Sequence, residues 1–153
     1  MKKVVVAIDG SEVSKSLIEY AFHYAEREKE VELIFLHVIE SWENRQIEYR
    51  GHVAYLPPPE SEIRQQFSEI VEEIRKKTGS LVRSYSVEVR VGISYQEIVD
   101  FATEQKAKLI MIGHRGISGL RRFIIGSVAA KVVAHTPCSV YVHIPEQVAG
   151  EEK

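Results

Sequence analysis

Five short strand-like runs punctuate the sequence, VVVAI (4–8), VELIFLHV (31–38), YSVEVRV (85–91), KLIMI (108–112) and SVYVHI (139–144), and the third reads as a strand by its alternation. The first is wholly apolar and rich in β-branched residues, the pattern of a parallel strand covered on both faces. Between the runs, apolar residues recur at helical spacing. One such set is Leu17, Tyr20, Ala21, Tyr24 and Ala25, and another is Ile63, Phe67, Ile70 and Ile74, which stops at Gly79. Ile98, Val99 and Ala102 mark a third helix, and Val128, Ala129, Val132 and Val133 a fourth. Strands alternating with helices imply βαβ units, right-handed crossovers and a mostly parallel sheet with helices on both faces, the α/β class. At 153 residues the chain reads as one domain over 1–145, with a polar tail at 146–153.

One segment does not fit the alternation. Glu40 to Glu60 is polar and ends in three prolines, which disfavour helix before Glu60. Connections of that length in this architecture are functional or disordered. Trp42, the single tryptophan, opens it and is expected to pack over a pocket or a partner.

The bulk properties exclude several classes. A net charge of −2 argues against a nucleic-acid partner. No apolar run reaches the ~18 residues that would span a bilayer, so no membrane role is expected. MKKVVVAIDG resembles a signal peptide only superficially, because Asp9 interrupts the apolar stretch. A single cysteine, Cys138, rules out an internal disulfide framework and suits a cytoplasmic location.

The richest stretch for chemistry is GHRGISGLRRFIIGS, from Gly113 to Ser127, with four glycines, two serines and three arginines. It starts at the end of the fourth strand and ends at the start of the last helix, where open α/β sheets bind ligands. Glycines let backbone N–H groups approach an anion, and a helix start adds orphan donors and partial positive charge. Ser127 adds a hydroxyl, and Arg115, Arg121 and Arg122 add charge that can balance phosphates. The same residues also read as plain turns, a helix cap and a solvated face. The P-loop pattern and the dinucleotide G-x-G-x-x-G are both absent.

The spacing Gly113, Gly116, Gly126-Ser127 resembles the ATP-binding signature of the universal stress protein family. VVVAIDGSEVS, LHVIE and GSVAAKVVAHTPCSVYV are similar to that family's first strand and turn, second strand, and last helix and strand. The resemblance implies a doubly wound, Rossmann-like, five-stranded parallel sheet of order 3-2-1-4-5. It implies an ATP site in which Asp9, with Ala7 and Ile8, meets the nucleoside and Val38 meets adenine through its backbone. Gly113 and Gly116 would admit the ribose and phosphates, with Arg115 beside them. Gly126, Ser127 and Val128 would hold phosphate oxygens. Asp9 is also the candidate ligand for Mg²⁺. The resemblance further implies a homodimer formed through the last strand, Ser139 to Ile144.

The expected function is an ATP-binding stress-response or signalling protein. The alternatives are a slow Mg²⁺-dependent ATPase, with His114 as an acid–base group, and a nucleotide-free dimeric interaction module. Asp9 also reads as a helix N-cap or turn former. His37 and His143 read as packed or edge strand residues, and Cys138 as a small buried one. A receiver fold would want an acidic pair after the first strand, where AIDGS supplies one acid.

Overall fold

The computed structural model describes residues 1–40, 45–56, 59–115 and 125–146. The element order is β1 (Lys2–Ala7), α1 (Glu12–Glu28), β2 (Val31–Glu40), β3 (Arg45–Tyr49), β4 (His52–Leu56), α2 (Glu60–Thr78), β5 (Tyr85–Gly92), α3 (Ser94–Gln105), β6 (Leu109–Gly113), α4 (Ser127–His135) and β7 (Ser139–His143). Five strands form a parallel sheet in the order β5-β2-β1-β6-β7. In sequence order of the five runs this is 3-2-1-4-5, as expected.

The period-2 geometry of a strand divides the core in two. Val4 and Val6 of β1 join Leu17, Ile18, Phe22, Phe67 and Val71 beneath α1 and α2. Val5 joins Ile98, Phe101, Ala129 and Val132 beneath α3 and α4. All three valines are fully buried, which is why the run carries no polar residue. No helix among the described residues is long and apolar enough to cross a membrane.

The Glu40–Glu60 connection departs from its sequence reading. β3 and β4 pair antiparallel from Arg45↔Leu56 to Tyr49↔His52. The two residues between them, Arg50 (φ 49°) and Gly51 (φ 77°), both have positive φ, as a type I′ hairpin requires. Arginine in the first of these positions hides the Asn-Gly signal that would mark such a turn. Trp42 lies outside the described residues, as do Gly116, Arg121, Arg122 and the tail from 147. β2 also runs two residues past the apolar pattern, because Ile39 and Glu40 pair with Val91 and Gly92.

The helix starts are satisfied differently. Ser11 caps α1, accepting from Ser14 N at 3.1 Å, and the Ser14 hydroxyl accepts from Asp9 N at 3.1 Å. α3 begins at Ile93, which has no capping side chain. Glu40, at the end of the neighbouring β2, reaches across to accept from Ser94 N at 3.1 Å and from the Ser94 hydroxyl. α2 carries Glu60 and Glu62 in its first turn. α4 begins at Gly126 with no side-chain cap and no acidic residue in its first turn.

Candidate functional site

The strand order reverses at β1: the chain moves to β2 on one side and returns to β6 on the other. The crevice beyond the carboxyl ends of these strands is the ligand position of a doubly wound sheet. β1 delivers Ala7, half-buried, Ile8, buried, and Asp9, half-buried, to that edge. Asp9 Oδ1 accepts from Ser11 N at 3.0 Å, closing the turn in which Gly10 takes φ 84°. Ser11 therefore holds the N-cap position, and Asp9 is the turn former, with no partner for its second carboxylate oxygen among the described residues.

β6 delivers Gly113. A Cβ there would sit 2.7 Å from Val13 Cγ1 of α1 and 3.3 Å from the Arg115 carbonyl oxygen, so only glycine lets the helix lie this close. Arg115, half-buried, ends this described stretch, and Gly126 lies beside it. Gly126 N donates to His114 O at 2.6 Å, and a Cβ on Gly126 would meet Arg115 Cα at 3.3 Å. The start of α4 is thereby held against the end of β6. Ser127 is exposed, and Val128 is half-buried against the α3/α4 core. Among the described residues no side chain caps the start of α4, and no acidic residue stands in its first turn, whose N–H groups have no intrahelical partner.

On the other side of β1, β2 delivers Val38. Leu33 N donates to Ser84 O, so odd residues of β2 turn their backbone toward β5. Leu36 O accepts from Ile8 N, so even residues turn toward β1. Pairing between β1 and β2 ends at Ala7↔Leu36. Val38 thus points its N–H and C=O past the end of β1, while its side chain is buried. Strands lie about 4.8 Å apart, so Val38 and Gly113, flanking β1, are separated by about 10 Å across the sheet. A free donor–acceptor edge at one end and an uncapped helix start at the other can hold a flat base and an anion.

Beside the crevice, a polar seam runs between α1 and β7. His114 N donates to His143 O at 2.9 Å. The buried His143 ring bonds Ser16 Oγ at 2.9 Å through Nε2 and the Tyr141 hydroxyl at 3.0 Å through Nδ1. Burial, and then His114 nearby, push the His143 pKa down. Burial, with Tyr20 alongside, pushes the Tyr141 hydroxyl up to about 12. Tyr141 stacks on Tyr20 with centroids 4.5 Å apart.

Sequence reasoning read His37 as a packed or edge strand residue but did not see its bond to the Ile8 carbonyl. The residue is half-buried, its ring is stacked on Phe67 at 4.1 Å, and it bonds the Ile8 carbonyl through Nδ1 at 2.8 Å. A lone histidine in an apolar run carries no spacing signal for such a role.

Comparison with known proteins bears on the fold and on the family. The universal stress protein YxiE of Bacillus subtilis is 31% identical over 145 residues, covering 92% of this chain and 97% of that one. Solved structures share the fold, and three of them illustrate it. The universal stress protein UspA from Lactobacillus plantarum superposes with a TM-score of 0.70 at 22% identity, covering 92% of this chain and 96% of its own. A universal stress protein in complex with cAMP gives 0.65 at 23%, covering 94% and 97%. The universal stress protein from Archaeoglobus fulgidus in complex with dAMP gives 0.61 at 23%, covering 93% and 97%. The profile of one family matches residues 1–143, nearly everything described above, and the chain belongs to that family, the universal stress proteins.

Proposed function

We propose that this protein binds an adenine nucleotide, with ATP preferred, and acts as a nucleotide-responsive signalling module in the stress response. The observation that carries the reading is the pairing, on one sheet edge, of the open Val38 backbone with the uncapped start of α4. Adenine presents an acceptor at N1 and a donor at N6, which complement the Val38 N–H and C=O. The amides of Ser127 and Val128 and the Ser127 hydroxyl take phosphate oxygens, with Gly113 and Arg115 along the approach. The cAMP and dAMP complexes of fold relatives support adenine as the base. Mg²⁺ on the phosphates takes the second Asp9 oxygen, directly or through water. That fits a cation which usually uses one or two carboxylates plus phosphates. Among the described residues no cluster of three or more His, Cys, Asp or Glu offers a fuller protein site. A second copy of the chain pairs through β7.

Calorimetric titration tests the site. ATP should bind more tightly than AMP, since the helix start favours the added phosphates. Ser127→Pro is the informative variant. Ser127 is the first residue of α4, where proline is well tolerated, and Gly126 already has the extended backbone (φ −64°, ψ 159°) that precedes proline. The variant removes one amide donor and the hydroxyl without disturbing the helix. ATP affinity should fall by about tenfold or more, the worth of one or two charge-assisted hydrogen bonds. Equal affinity for AMP and ATP, or an unaffected variant, would remove the phosphate cradle.

A further inference from the structure

We propose that His37 is a positioning residue that keeps the Val38 backbone open for the base; the inference rests on the nucleotide-binding reading above. In a parallel ladder, a strand residue that donates to one partner residue accepts from the residue two further along. Ile8 N donates to Leu36 O at 2.9 Å, so the next bond in sequence would run from Val38 N–H to Ile8 O. That bond is not made, and the pairing stops at Ala7↔Leu36. The Ile8 carbonyl instead meets Nδ1 of His37 at 2.8 Å. A carbonyl oxygen only accepts, so Nδ1 carries the proton.

The ring reaches this carbonyl from the α1/α2 side of the sheet. Its stack on Phe67, with 23° between the planes, holds it there, and the edge of the Phe67 ring also lies under Gly10 in the β1–α1 turn. The imidazole thus does two things at once. It satisfies a carbonyl that β1 would otherwise offer to β2, and it leaves Val38 N–H facing the crevice. In its place, a residue that fills the same space without a donor would let the ladder close by one more rung. The donor that reads adenine N1 would then be consumed inside the sheet.

Hydrogen exchange of the Val38 amide, followed by NMR in the ligand-free protein, reads the device directly. In the wild type this amide should exchange rapidly, and saturating ATP should slow it. His37→Phe preserves the stack on Phe67 but has no donor, so the Val38 amide should become protected without nucleotide. ATP affinity should fall by about tenfold, the worth of one hydrogen bond to the base, and the preference for ATP over GTP should shrink toward unity. Binding of tripolyphosphate, which has no base, should be unchanged. His37→Asn, whose side-chain amide places a donor near the Nδ1 position, should restore rapid exchange and selectivity. A Val38 amide already protected in the ligand-free wild type overturns the inference without any variant. So does a His37→Phe protein that discriminates ATP from GTP as well as the wild type does. If the exchange pattern holds but wild-type protein binds no adenine nucleotide, the nucleotide reading fails and the base-positioning role fails with it.

Discussion

Gly113 serves the packing of α1 as well as any ligand. Its missing Cβ is what lets Val13 lie against the end of β6, at a distance no side chain would allow. Gly113→Ala should therefore destabilise the free protein by about 1–3 kcal/mol through overpacking. For a chain of this size that lowers the melting temperature by several degrees. Val13→Ala in the same chain relieves the clash, so the double variant should lose less than the two single losses combined. Thermal denaturation of the four proteins checks this; strict additivity would mean that the contact carries no strain. The sequence marks Gly113 through its spacing to Gly126; a Cβ at Gly113 would clash at 2.7 Å with Val13, while one at Gly126 would press on Arg115 at 3.3 Å. Val13 as the reason at Gly113 was not legible, since it comes from another element. The same holds for Glu40, which caps α3 from the end of β2.

At the scale of elements, the two edges of the sheet differ. β5 carries Glu88 and Arg90, with Arg90 paired to Glu104 at 2.6 Å and Glu88 to Arg64 at 3.6 Å. Charges of this kind discourage pairing with another chain. β7 has no lysine, proline or acid from Ser139 to His143. His143 O accepts from His114 N, so the odd residues of β7 turn their backbone to β6, and Val140 and Val142 turn theirs to the open edge. Two copies related by a twofold axis can pair these groups antiparallel. Val142→Pro removes an outward donor and leaves the β6 ladder intact, as proline on an edge strand does. Light scattering should show a dimer at micromolar concentration for the wild type and a shift toward monomer for the variant. A wild type that remains monomeric would end the strand-pairing proposal. The interior strands β1, β2 and β6 were legible because burial on both faces forces near-continuous apolar runs, and the half-buried edge strand β5 through its alternation. The β3–β4 hairpin was not, because its pattern is short and its turn lacks the usual Asn-Gly.

Across the whole molecule, α1 is tied to β7 by a seam of titratable groups, and the buried His143 in it contributes to the acid response of the fold. His143 is buried against Ser16, Tyr141, Tyr20 and His114, and its pKa lies below the ordinary 6.5. Unfolding releases the ring to its ordinary value, so below about pH 6.5 the unfolded chain binds more protons at this site than the folded one. The contribution of the neutral ring is thus whole above that pH and is lost as pH falls toward the folded value. Glu72 acts in a separate window. Its bidentate pairing with Arg75, together with the Tyr85 hydroxyl, holds its carboxyl at about 2 rather than 4.5. Its contribution is present above pH 4.5 and fades only below it. Melting temperature should therefore decline in two stages as pH is lowered. His143→Gln keeps a polar side chain beside Ser16 and Tyr141 but does not titrate. The variant should melt at a lower temperature than the wild type at pH 7.5 and lose less between pH 7 and pH 5. Below pH 4.5 the two proteins should fall together, because Glu72 is unchanged. Parallel curves from pH 7 to pH 5 would show that the buried ring does not govern this part of the acid response, and would leave His143 only its packing between α1 and β7.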